Sequence, residues 1–293
     1  MEVCKAGGMS IRVHPILILL FAVYALAGQL VQVTIIFALV TGHELAHIAI
    51  AKAQGVRVTA MELSPIGGTA QCEDTFEGRR WLESSIALAG PTLNMMLLFA
   101  AQVLRWQGIW AGTAAEDFIR VNFWLAAFNL IPVLPLDGGR IVRALACGAF
   151  GFVRTTRVLA WMGCYLGVLA GAAALYLWWN RGLTVEPVWL SLLAVFFWLA
   201  GRKEIFAARI VFLRQLTRKK EELNRQGMMG AKWLTVRAQT PLVRIVEEFV
   251  PDRYAFVVLD QPQFAPEKVF TETEIVEGLF REGIHYTLGK LGS

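Results

Sequence analysis

Charge is scarce in this chain of 293 residues. Asp, Glu, Lys and Arg make up 17% of it and hydrophobic residues 56%, with a mean hydropathy of +0.51. Ordinary soluble domains carry about 25% charge, so this composition excludes a soluble globular protein throughout. Cysteine is equally sparse. Cys4, Cys72, Cys147 and Cys164 are scattered without a CxxC pair, which excludes a disulfide framework and a cysteine-built metal ribbon and leaves free thiols as the expectation. There are only four histidines, His14, His43, His47 and His285. No internal repeat and no low-complexity tract is present, which excludes a solenoid. The net charge of +5 does not point to nucleic acid, because the Lys and Arg excess lies between apolar segments, where membrane topology accounts for it.

Long apolar runs are what the chain has instead. A bilayer core takes about 20 apolar residues per helical span. Six apolar segments can be traced: 15–27, 30–51, 81–104, 118–130 continuing past Gly139, 158–179 and 188–200. Lys5, Arg12, Lys52, Arg57, Arg79, Arg80, Arg140, Arg143, Arg154, Arg157 and the residues from Arg202 onward fall in one set of connections. The other set holds only Arg105, Arg120 and Arg181. That asymmetry predicts a multi-pass membrane protein with both termini cytoplasmic.

Residues 56–73 combine β-branched residues with the turn signals Pro65 and Gly67–Gly68, predicting two short strands in a hairpin at the membrane surface. Past Ala200 the composition changes. Residues 202–232 begin with a run rich in Arg, Lys and Glu at helical spacing, a linker helix suited to an anionic membrane surface. Residues 233–293 read as a small soluble α/β domain: strand 234–238, helix 241–250 opened by Pro241, strand 254–260 and helix 271–281. The expected organisation is thus a membrane domain over 1–201, a linker over 202–232 and a soluble module over 233–293.

The chemistry concentrates in His43-Glu44-Leu45-Ala46-His47. On a helix, positions i and i+4 share a face, so both imidazoles reach one metal ion, and zinc is the ion this spacing suits. Glu44 is then placed to take a proton from an attacking water and deliver it to a leaving amine. Two histidines and a glutamate inside an apolar segment are costly unless they face a cavity, a partner or a metal. A catalytic zinc keeps three protein ligands, and Asp137 is the best candidate for the third. It ends Asn129-Leu-Ile-Pro-Val-Leu-Pro-Leu-Asp137, where Pro132 and Pro135 break the helix, and irregular backbone at membrane depth needs protein or a wet cavity around it. The competing role for Asp137 is to start the next helix as its N-cap.

These residues bring a family into view. The HELAH helix, the NLIPVLPLDGG segment and Ala89-Gly90-Pro91 followed by Asn94 resemble the site-2 protease family of intramembrane zinc metalloproteases over nearly all of the membrane part, from Ile11 to about Gly201. Arg12-Val-His-Pro15, the short Pro65–Gly68 hairpin and the C-terminal module resemble its sporulation type, which removes the pro-sequence of a sigma factor (pro-sigma-K). The resemblance implies that His43, His47 and Asp137 ligate one Zn2+ and that Glu44 is the catalytic acid/base. It also implies that Asn129 lies near the metal, where its amide is available to a developing oxyanion. Asn94 is expected as a span-to-span contact. His14 is expected as an interfacial anchor and His285 as a surface residue.

The module over 233–293 resembles a single CBS unit, a kind that binds adenine nucleotides such as ATP and works in pairs. This implies a homo-oligomer, with substrate docking as the competing role. The implied partners are a membrane-associated pro-sigma-like substrate, inhibitory or regulatory membrane proteins and the lipid bilayer. In a spore former, the implied site is the mother-cell membrane around the forespore. Alternatives are a general site-2 protease acting on a membrane-anchored anti-sigma factor, and a non-catalytic zinc scaffold or transporter. A prenyl-type HExxH peptidase takes a glutamate as third ligand, and the acid embedded in the broken helix here is an aspartate.

Overall fold

The computed structural model describes residues 2–6, 9–64, 67–72, 79–182, 184–250, 253–260, 268–283 and 286–291. The chain divides into two compact units between Val142 and Arg143, with residues 77–80 grouped with the second. The first holds β1 (Glu2–Ala6), β2 (Met9–Val13), α1 (Pro15–Leu26), α2 (Leu30–Ala53), β3 (Val58–Ser64), β4 (Gly67–Cys72), α3 (Arg80–Trp106), α4 (Thr113–Asn129) and the start of α5 (Asp137–Phe150). The second holds the rest of α5, then α6 (Phe152–Arg181), α7 (Val185–Gln226), β5 (Ala231–Arg237), α8 (Leu242–Val246), β6 (Tyr254–Asp260), β7 (Val269–Thr271), α9 (Glu272–Glu282) and α10 (Leu288–Leu291).

Among the described residues four helices reach membrane-spanning length and hydropathy: α2, α3, α6 and the Val185–Ala208 part of α7. Large apolar side chains such as Leu19, Phe99, Tyr165, Leu175 and Leu199 lie exposed on them and on α1, as a bilayer solvent allows and water does not. Of the six apolar segments in the sequence, two give shorter helices. α1 has 12 residues and α4 has 17, so α1 is about 18 Å long against a hydrocarbon core of about 30 Å. α4 opens on Glu116, Asp117 and Arg120, whose charges shorten its apolar stretch. The last apolar segment and the predicted linker helix are one continuous helix, α7, of 42 residues. No proline stands between them, and Gly201 is tolerated because α6 crosses there: a Cβ on Gly201 would stand 2.6 Å from Cys164 Sγ. Gly167 gives the same close approach against Ala194 O and Phe197, the small-residue packing that lets membrane helices touch.

The predicted hairpin is β3 and β4, with Met61 opposite Ala70 and Leu63 opposite Gly68. Pro65, Ile66 and Glu73 of that segment lie outside the described residues. The hairpin belongs to a larger sheet of order β1-β2-β3-β4, in which β2 runs parallel to β3 with Ile11 opposite Met61. The N-terminal strands carry little sequence signal, because each has five residues and too little periodicity, and β2, on which β1 pairs, finds its own partner β3 some 50 residues away. This sheet buries Met9, Val58 and Met61 against Ile48 and Ala51 of α2 and Ile86 of α3. It therefore packs against the part of α2 that carries the His-Glu pair.

In the second unit, β5 and β6 are parallel and β7 is antiparallel to β6. The module core of Leu242, Phe249, Val257, Phe270, Ile275 and Leu288 is continuous with Cys147, Phe152, Val153 and Ala208 of α5, α6 and α7. Arg157 of α6 pairs with Glu247 at 2.7 Å. A capping box between Thr271 and Glu274 starts α9.

Candidate metal centre

His43 and His47 lie one turn apart on α2, their rings edge-on with centroids 4.8 Å apart. Asp137 arrives from the first turn of α5. One of its oxygens, Oδ2, stands 3.1 Å from His43 Nε2 and 3.2 Å from His47 Nε2. All three ligand atoms fall within 4.8 Å of one another. His43 is 3% exposed and Asp137 6%. A tetrahedral zinc with bonds near 2.0–2.1 Å sets its ligands about 3.3–3.4 Å apart, close to the observed edges.

The outer partners decide what these atoms can hold. His47 Nδ1 donates to the carbonyl of Ile86 at 2.7 Å, and His43 Nδ1 meets Asn94 Oδ1 at 2.5 Å. With the proton on Nδ1, each neutral imidazole turns the lone pair of Nε2 toward Asp137, whose carboxylate oxygen also offers lone pairs. Three acceptors thus face one another in a buried place. A cation satisfies all three, and a nitrogen, nitrogen, oxygen donor set of this spacing fits zinc.

The surrounding backbone is cut to make room. A Cβ on Gly90 would stand 2.5 Å from both His43 Nε2 and His47 Nε2, so α3 can pass this close only with glycine there. Pro91, next in α3, has no N–H to give to the carbonyl of Ala87, so the helix ladder is interrupted beside the carbonyl of Ile86 that receives His47. On the third ligand's side α4 ends at Asn129, and residues 130–136 turn back before α5, with Leu134 and Leu136 buried and a cis bond between Leu134 and Pro135. Side chains at Gly138 and Gly139 would run into the backbone of Leu130, Ile131 and Val133. Those glycines let the turn fold tightly enough to bring Asp137 to α2.

Glu44, next to His43, is half-buried. Asn129 is also half-buried, and its amide donates to Leu125 O at 3.0 Å within its own helix. His14 caps α1, its Nδ1 accepting from Ile16 N at 3.3 Å. His285 lies outside the described residues, and the buried Cys147 and Cys164 are in no disulfide among the described residues. Asn94 does link spans, but it also touches a proposed ligand. Asn122 and Gly90 were not singled out as site residues, although an asparagine in an apolar helix is a signal in itself.

Peptidase family M50 matches residues 31–109 and 114–170, which include the histidine pair and Asp137. The chain is similar to Stage IV sporulation protein FB of Bacillus subtilis, 28% identical over 82% of this chain and 81% of that protein. It is 32% identical to a zinc metalloprotease of Methanocaldococcus jannaschii, over 56% of this chain and 51% of the relative. The solved site-2 protease of Methanocaldococcus jannaschii superposes with a TM-score of 0.55 at 26% identity, covering 70% of this chain and 94% of that one. Fold, site and relatives together define an intramembrane zinc metalloprotease. Over those residues the chain matches peptidase family M50, the site-2 proteases, and its apolar helices make it an integral membrane protein.

Proposed function

We propose that the chain is the endopeptidase of a regulated proteolytic step, with His43, His47 and Asp137 holding one zinc ion, and that its substrate is the pro-sequence of a membrane-associated sigma factor. The observation that carries the site is the convergence of His43 Nε2, His47 Nε2 and Asp137 Oδ2 at 3.1–3.2 Å with both Nδ1 atoms already committed. The substrate class rests on the sporulation-type resemblance and on similarity to a sporulation protein across most of both chains. A membrane-anchored anti-sigma factor is the alternative substrate.

Zinc bound there supplies Lewis acidity for the scissile carbonyl and an activated water. Glu44 takes the proton from the attacking water and passes it to the leaving nitrogen. Asn129 turns its amide from Leu125 O to the developing oxyanion, which gains more from a donor than the ground-state carbonyl does. A helical substrate hides its carbonyls in its own hydrogen bonds, so the cut segment must first be extended. β4 stands at the edge of its sheet, and the extended segment pairs with it as an added strand. Proline substitutions along Gly67–Cys72 are expected to raise KM several-fold with little change in kcat; a series cleaving at wild-type KM would remove strand addition.

Both termini are cytoplasmic, on the charge asymmetry of the connections. The C-terminal module binds an adenine nucleotide as a CBS unit, and chains associate through it. Inhibitory membrane partners act on access to the site, at the mother-cell membrane in a spore former.

The deciding experiment pairs purified full-length chain with a pro-sigma-type substrate. One zinc per chain and cleavage are expected, with cleavage lost on chelation and regained with one equivalent of Zn2+. A chain that cleaves equally well when stripped of metal would overturn the metalloprotease mechanism. A zinc-replete chain that cleaves an anti-sigma factor and leaves the pro-sigma substrate intact would move the proposal to the alternative substrate.

A further inference from the structure

We infer that Asn94 and Asn122 are positioning residues for His43, forming a relay of two amides that fixes which of its ring nitrogens faces the metal. This rests on the proposal that His43 is a zinc ligand. The relay starts from a backbone carbonyl. Asn122 Nδ2 donates to Phe118 O at 2.9 Å, one turn back in α4. A carbonyl can only accept, so the amide of Asn122 has one orientation, with its oxygen pointing away from Phe118. That oxygen receives Asn94 Nδ2 at 2.9 Å, which orients the second amide in turn. Asn94 Oδ1 is then left facing His43 Nδ1 at 2.5 Å. An oxygen there requires the proton on Nδ1, and a neutral imidazole protonated on Nδ1 presents Nε2 as a lone pair. Three helices thus agree on one tautomer.

Both asparagines are fully buried, at 0% exposure. A pair of buried amides joining α3 to α4 has an ordinary purpose as glue between membrane helices. Packing alone leaves the second end of Asn94 unexplained, since its oxygen is turned to the ring of His43. The two histidines also differ in kind. His47 is oriented directly by a backbone carbonyl, Ile86 O, which no substitution removes. His43 depends on two side chains, and its setting can be mutated without touching a ligand.

The test uses the full-length chain in detergent, with zinc affinity measured by chelator competition and the site geometry by the visible absorption of the Co2+-loaded protein. Asn94→Ala is expected to weaken zinc about 10- to 100-fold, the range for outer partners of metal-bound histidine, and to change the Co2+ spectrum. Asn94→Asp keeps an acceptor for Nδ1 but sets its other oxygen against Asn122 Oδ1, so it is expected to recover part of the affinity lost in Asn94→Ala. Asn122→Leu is expected to weaken zinc when introduced alone and to add nothing in the Asn94→Ala background, the non-additivity of residues acting in series. Asn94→Ala and Asn94→Asp variants that lower thermal stability while keeping wild-type zinc affinity and Co2+ spectrum would reduce the pair to packing and overturn the relay. An Asn122→Leu penalty that persists undiminished in the Asn94→Ala background would also overturn it. A wild-type chain that binds no zinc would bring down the metal-site proposal itself, and the relay with it.

Discussion

Glu44→Gln is expected to abolish cleavage, by at least about 100-fold and up to about 10,000-fold, the range attributed to a positioned general acid–base group, while the purified protein keeps its full zinc content. Glutamine reproduces the shape of Glu44 but cannot accept a proton and return it. Retained zinc follows from the geometry. The atoms that converge are those of His43, His47 and Asp137, and Glu44 stands next to them in sequence as a half-buried side chain outside that trio. Gel analysis of co-expressed substrate reports the cleavage, and metal analysis of the purified variant reports the zinc. A variant that loses zinc would make Glu44 a ligand, and one that still cleaves would end its role as proton carrier. A scaffold or transporter would also keep its zinc, but would keep its function too, so the substitution separates enzyme from non-enzyme in one experiment.

Much of the first unit was legible in the sequence, and for identifiable reasons. The histidine spacing in α2 is a statement about one helix face, so it survives folding unchanged. Pro132 and Pro135 required a break, and α4 and α5 end and begin on either side of it. The turn residues at 65–68 anticipated β3 and β4. What stayed hidden depends on long-range contact. β2 becomes a strand by pairing with β3, some 50 residues on. Asn94, Asn122 and Gly90 acquire their roles only when α3 and α4 are laid against α2. Gly90 in particular looks like an ordinary small residue until the distance from its missing Cβ to two histidine nitrogens is known. The change of composition at Arg202 marks where α7 leaves its apolar stretch and not an end of the helix, since α7 runs on to Gln226.

Asp137 carries the second large expectation. Asp137→Ala should lower zinc affinity by more than about 100-fold, beyond the range for outer partners of a ligand, and cleavage should vanish with the metal. The site loses one of three ligands and the anionic one, leaving two neutral nitrogens to hold a divalent ion in a buried place. The competing role for this residue is local. Asp137 occupies the first turn of α5, where a negative side chain favours the helix N-terminus. Asp137→Asn separates the two. Asparagine caps helix starts about as well as aspartate and forfeits only the charge–dipole part, about 0.3–1 kcal/mol, so this variant should unfold close to the temperature of the wild-type apoprotein. Its neutral amide is a poor zinc ligand, so it should lose metal and cleavage as fully as the alanine variant. An Asp137→Asn chain that holds zinc and cleaves would assign the residue to the helix start and require another third ligand. One that folds like wild type yet stays metal-free leaves coordination as the role of Asp137, since the turn at 130–136 and Gly138–Gly139 still bring position 137 to α2 in that variant.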